Sequence, residues 1–193
     1  VVTYALSGAT TGSGNDDASG EYFNIGTTTV TYTAEDEAEN SGSCSFAVAV
    51  ADTFKVTPVG GLAQCGGEVI VDFTVENFNG LRGLQFTVTW DTAILKYDTA
   101  VNVNLPSMVG FGELAPDTLT FSWFDMDDTG ETYPNGFAIF GLRFEVVGEL
   151  GETTPVCIID QPTPIEASVS GGMFPATIPV CVSKGQVEVV DTL

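Results

Sequence analysis

The sequence predicts an all-β protein made of two β-sandwich units in tandem, and three observations carry this. Short runs of alternating apolar and polar residues recur along the chain, each the signature of a strand with one buried face. No segment sustains a helical periodicity. The 22 glycines and 9 prolines fall mainly between the runs, where turn residues belong.

Taken in order, Val30, Tyr32 and Ala34 alternate with Thr29, Thr31 and Thr33, and Phe46, Val48 and Val50 alternate with Ser45, Ala47 and Ala49. Val69, Val71, Phe73 and Val75 alternate with Glu68, Asp72, Thr74 and Glu76, with Ile70 interrupting the polar side. Leu84, Phe86, Val88 and Trp90 alternate with Gln85, Thr87 and Thr89. Phe140, Leu142, Phe144 and Val146 repeat the pattern, and Ile178, Val180 and Val182 repeat it again. Strands of this kind pack as antiparallel sheets, face to face. Trp90 followed by Asp91 ends a strand, and Ile94, Leu95 and Tyr97 are expected to plug one end of the sandwich. Leu119, Phe121 and Trp123 mark one more strand. Tryptophans at inward positions read as core, not as platforms for sugars.

At 193 residues the chain is too long for one minimal sandwich. A Thr/Gly/Ser-rich stretch gives way near Asp52 to Thr57 to one with larger apolar residues and both tryptophans. The expected units are therefore 1–52 and 53–193. The join, AVAVADTFKVTP, has no Gly/Ser run and reads as short and stiff.

Charge excludes whole classes of partner. Five Lys and Arg face 26 Asp and Glu, a net charge of −21. Lys55, Arg82, Lys96, Arg143 and Lys184 cannot build a basic patch, which excludes nucleic acid and an anionic membrane surface. No apolar run is long enough to span a membrane, so no membrane insertion is expected. The opening residues show neither an initiator Met nor a signal-peptide pattern, so the chain reads as a segment of a longer secreted product.

With no histidine, Ser–His and Cys–His catalysis and His-ligated metals are excluded. Carboxylates are plentiful, but nothing nominates a glycosidase pair, so no catalytic residue is expected. No cofactor is required, and calcium is the one candidate ion. Asp125, Asp127, Asp128 and Glu131 share one loop, where their spacing would let oxygens converge on a hard cation. A second candidate is the stretch around Asp36 and Asn40. The ordinary alternative for both is an acidic, solvated turn. Cys44, Cys65, Cys157 and Cys181 are evenly counted and widely spaced, which suggests disulfides and an oxidising compartment. Cys157 with Cys181 is the expected pair. Cys44 and Cys65 would bridge the units or pair elsewhere, and four free thiols are the alternative.

Residues 23–52, FNIGTTTVTYTAEDEAENSGSCSFAVAVAD, resemble the hyalin repeat, an extracellular immunoglobulin-like module. The resemblance runs through Phe23, Gly26, Thr27 to Ala34, Asp36 and Asn40, then Cys44 to Asp52, with Glu39 standing where the family usually has Gly. It implies a partial immunoglobulin-like sandwich lacking its opening strands. The second unit resembles a cohesin-like domain, best marked by Phe86, Trp90, Asp91 and Leu95. That resemblance implies a nine-stranded jelly-roll β-sandwich. Together the two point to large surface or adhesin proteins of Bacteroidetes-like bacteria. They imply a non-catalytic repeat unit of a secreted adhesin, surface fibre or matrix filament, meeting neighbouring repeats or subunits head to tail. The alternative is a recognition module for a dockerin-like protein or a glycan. Either setting is extracellular, secreted or at the cell surface.

Overall fold

The computed structural model of the chain describes residues 1–50, 53–169, 176–178, 180–182 and 184–191, with the side chains of 176–178 and 180–182 outside that description. The chain divides into two compact units, Val1–Asp52 and Thr53–Leu193. Both are built of strands, with no α-helix among the described residues. The join at residues 51 and 52, expected to be stiff, lies outside the described residues.

In the first unit β1 (Val2–Gly8), β2 (Gly12–Asn15), β3 (Gly26–Glu35) and β4 (Ser41–Val50) form one antiparallel sheet in the order β2-β1-β3-β4. The register lines up Tyr4, Tyr32 and Cys44 in one row and Leu6, Val30 and Phe46 in the next. Tyr4, Leu6 and Val30 are buried because the segment between β2 and β3 straps over them, with Ala18 and Phe23 packed on the cluster. Two hydrogen bonds pin the strap to β1 and β3. The Tyr4 hydroxyl donates to Glu21 Oε1 at 2.5 Å, and the Ala18 N–H donates to the Tyr32 hydroxyl at 2.9 Å. Alternation in β4 predicts a buried Phe46, yet this ring is 51% exposed. The reason is local: among the described residues no second sheet of this unit opposes the first.

In the second unit the smaller sheet contains β5 (Phe54–Val59), β7 (Glu68–Glu76), β9 (Leu95–Val101), β13 (Phe137–Val146) and β17 (Val180–Val182), in the order β17-β5-β7-β13-β9. The larger contains β6 (Leu62–Gln64), β8 (Phe78–Thr89), β10 (Met108–Ala115), β11 (Thr118–Phe124), β14 (Thr153–Ile159) and β18 (Lys184–Val190), in the order β10-β11-β8-β14-β18-β6. On it, β12 (Glu131–Tyr133) and β15 (Glu166–Val169) also pair with β8, and β16 (Ala176–Ile178) pairs with β15. The cohesin resemblance implies nine strands, and the described residues form more, shorter segments because the chain changes sheet in mid-strand. At Gly60 and Gly61, β5 leaves the smaller sheet and continues as β6 in the larger, and β17 gives way to β18 likewise. The strand expected over Ile178 to Val182 is split by the same device. Its β16 half pairs with β15 and its β17 half with β5. The side-chain alternation expected there lies outside the described residues.

Facing rows of the two sheets fill the core. Phe73 and Phe140 come from the smaller sheet, and Phe86 and Phe121 from the larger, all fully buried. Phe140 stacks on Phe73 at 4.5 Å and on Phe121 at 4.6 Å between ring centroids. Both tryptophans are core residues, 5% exposed at Trp90 and 3% at Trp123. The Trp123 indole N–H donates to the Pro106 carbonyl at 2.8 Å, which satisfies its one polar atom. Ile94 and Leu95 are buried at one end, where Tyr97 and Phe144 pack against Trp90.

Candidate functional site

The acidic loop between β11 and β12 gathers Asp125, Asp127 and Asp128. Asp125 is 1% exposed. Its Oδ2 accepts from the Gly130 N–H at 2.8 Å, and its own N–H donates to the Arg82 carbonyl at 2.8 Å. Asp127 Oδ1 accepts from the Thr129 hydroxyl at 2.7 Å and the Thr129 N–H at 3.0 Å, and these bonds hold its carboxyl below the usual carboxylate range. Asp128 forms an ion pair with the largely buried Arg82 guanidinium. Glu131 sits apart on β12, opposite Leu81. The three Asp carboxylates are thus committed to the chain's own N–H and hydroxyl groups and to an internal cation. Among the described residues, no group of three or more acidic or thiol side chains is arranged to hold a metal ion.

This loop is a structural knot that ties β12 to β8. Asp125→Ala strands the Gly130 N–H and removes the oxygen that accepts from the Asp127 N–H. The expected cost is about 2–3 kcal/mol, read as a lower urea midpoint by Trp fluorescence, both tryptophans lying in this unit. An unchanged midpoint would refute the knot.

The second candidate, around Asp36 and Asn40, is also a closed turn. Asp36 Oδ1 accepts from the N–H groups of Ala38 and Asn40, both at 2.9 Å, and its Oδ2 accepts from Asn40 Nδ2 at 2.9 Å. The Asn40 side chain is the main reason the Asp36 carboxyl sits below its ordinary value. Glu39, where the hyalin-repeat resemblance leads one to expect Gly, takes a φ of 64°. An L side chain is strained in that left-handed region. Glu39→Gly is therefore expected to stabilise the first unit by about 1 kcal/mol, after glycine's greater unfolded-state freedom is discounted. Thermal unfolding followed by circular dichroism checks this, and a loss of stability would contradict it.

Cys44, Cys65 and Cys157 are free thiols. The expected pair does not sit on adjacent strands: Cys157 is on β14 of the larger sheet and Cys181 on β17 of the smaller. The change of sheet between β17 and β18 separates them. The Cys181 side chain lies outside the described residues.

Sequence reasoning passed over the outer face of the larger sheet. There the register sets Met108, Phe124, Gly83 and Ser168 in one row across β10, β11, β8 and β15. The next row is Gly110, Ser122, Gln85 and Glu166. A Cβ on Gly83 would lie 2.8 Å from Ser168 Oγ, and one on Gly112 2.7 Å from Thr120 Oγ1, so neighbouring hydroxyls lean across the glycines. Gly83, Gly110, Gly112, Thr120, Ser122 and Ser168 keep much of the face low. Gln85 Nε2 donates to Glu166 Oε2 at 2.9 Å, which fixes the two longer side chains on it. At one end Met108 is 61% and Phe124 55% exposed. They rim a shallow depression of about 330 Å³ floored by Gly83. The available signal was the outward pair Gly110 and Gly112 inside a strand, which reads in sequence as turn punctuation.

The model of the HYR domain matches residues 5–50, the first unit. No curated protein sequence matches the chain. Several solved structures share the fold of the second unit. The seventh ScaB type I cohesin from Pseudobacteroides cellulosolvens superposes with a TM-score of 0.63 at 15% identity, covering 73% of this chain and 94% of that one. The sixth cohesin of scaffoldin B from Acetivibrio cellulolyticus, in complex with a Cel5 dockerin mutant, gives 0.58 at 20% identity, covering 72% and 99%. A non-cellulosomal cohesin from the archaeon Archaeoglobus fulgidus gives 0.58 at 13% identity, covering 72% and 92%. The second unit therefore has the cohesin jelly-roll fold.

Proposed function

We propose that the chain is a non-catalytic, extracellular recognition unit whose second half binds a dockerin-type protein across the outer face of β10, β11, β8 and β15. One observation carries this reading: a flat face of glycine and hydroxyl residues, edged by exposed Met108 and Phe124. A protein surface docks well on flat small-residue ground when an aromatic or Met anchor stands at hand. Support by analogy comes from the structural relatives solved with dockerins bound. The tandem order of a hyalin-like unit and a cohesin-like unit, with net charge −21, suits a large surface or adhesin protein, in which this segment also acts as a structural repeat.

The test is calorimetric titration of the chain with dockerin modules from its own organism. Phe124→Asp is expected to weaken binding at least about tenfold, the effect of removing a buried anchor. Ile70→Asp, on the outer surface of the opposite sheet, is expected to bind as the parent does. Equal binding by the Phe124 variant and the parent would reject this face.

A further inference from the structure

We propose that β4 pairs, antiparallel and edge to edge, with β4 of a second copy of this chain. The strand ends its sheet, spans ten residues without a break, and is exposed along almost its whole length. Its hydrogen bonding follows from the turn. The Asp36 N–H donates to the Asn40 carbonyl, and the Glu35 N–H donates the other way, to the Val1 carbonyl beside β1, so the even-numbered residues of β3 bond toward β4. Alternation from there directs Gly42, Cys44, Phe46, Val48 and Val50 to β3. Ser41, Ser43, Ser45, Ala47 and Ala49 are left pointing their N–H and C=O groups outward. The usual protections of such an edge are absent: β4 has no proline, no charged residue and no bulge against β3.

Charge and register select a second copy as the occupant. On a chain of net charge −21, the uncharged strand Ser41–Val50 is ground where two copies meet without opposing carboxylates. The turn beside it carries Glu35, Asp36, Glu37 and Glu39. Parallel pairing would set the two acidic turns side by side. Antiparallel pairing sets them at opposite ends of β4, about 30 Å apart and beyond the screening length of physiological salt, about 8 Å. One register uses every free group: Ser41 opposite Ala49, Ser43 opposite Ala47, and Ser45 opposite Ser45 of the second copy. In it the half-exposed Phe46 lies opposite Cys44 of the second copy on the same face, so the two side chains meet across the seam. This pairing is isologous and closed, and it is independent of the recognition face on the second unit.

Sedimentation of the full 193-residue chain over a wide concentration range tests this. The expected result is a reversible dimer that tightens as sodium chloride is added, because salt screens the repulsion between two acidic copies. Ser45→Pro removes an outward N–H and no bond to β3, and is expected to raise the dimer dissociation constant at least about tenfold. Ala47→Glu leaves the backbone ladder intact and brings like charges into the interface, with the same expected direction. Circular dichroism of each variant establishes that the fold is kept. A monomer at all concentrations would overturn the proposal, as would a dimer that both folded variants retain.

Discussion

Phe140→Ala is expected to remove about 3–5 kcal/mol from the second unit, the range measured for Phe-to-Ala truncation in cores. Native domains have about 5–15 kcal/mol in total, so this one change takes a large share of the margin. The expectation rests on position. Phe140 has no exposed surface and lies within 6.3 Å, centroid to centroid, of Phe73, Phe86, Phe111 and Phe121. Three of those rings belong to the opposite sheet, so the ring is a bridge between layers, and the void left by truncation would open on both. Urea unfolding followed by Trp fluorescence reads the effect, because Trp90 and Trp123 both lie in this unit. Phe46→Ala in β4, where the ring is 51% exposed, is the contrasting case and should cost under about 1 kcal/mol. A cost below about 1.5 kcal/mol for Phe140→Ala would mean that the inter-sheet stack is not the centre of stability.

The contrast between Phe140 and Phe46 also shows where the sequence is legible. Alternation identified the strands around Val71, Phe86, Phe121 and Phe144, because a buried face writes itself into neighbouring residues. It misread Phe46, because alternation reports which residues share a face and not whether anything covers that face. The carboxylates of the 125–131 loop were visible, but the Arg82 that meets Asp128 comes from β8, far away in sequence. The sequence therefore offered the loop as either a cation site or an acidic turn, and could not show that Asp128 meets Arg82. The placing of 176–178 and 180–182 in different sheets was hidden for a similar reason, since pairing partners are nonlocal. The outer face with Met108 and Phe124 was hidden because Gly110 and Gly112 look like loop composition.

The place where the chain changes sheets yields the sharpest prediction, because two adjacent glycines there should behave oppositely. Val59 is the last residue of β5 paired in the smaller sheet, and Leu62 the first of β6 paired in the larger. Gly60 and Gly61 carry the backbone across between them, against β18. A Cβ at Gly60 would collide with the backbone carbonyl of Gln186, and one on Gly185, on the other side of the same crossing, would lie 2.8 Å from the Pro58 carbonyl. Backbone touches backbone here, and neither side can turn a rotamer to make room. A Cβ at Gly61 meets nothing within 4 Å, and its φ is outside the left-handed region. Gly61→Ala should therefore be neutral or stabilise by about 0.5 kcal/mol, through the stiffer unfolded chain. Gly60→Ala must push β5 away from β18, and with it the join between the two sheets. The expected cost is about 3 kcal/mol or more, at the upper end of overpacking effects because the obstacle is main chain. Paired urea titrations decide the matter. Similar midpoints for the two variants would show that the crossing is looser than a glycine-to-backbone contact. A large loss at Gly61 with none at Gly60 would invert the geometry on which the sheet change rests.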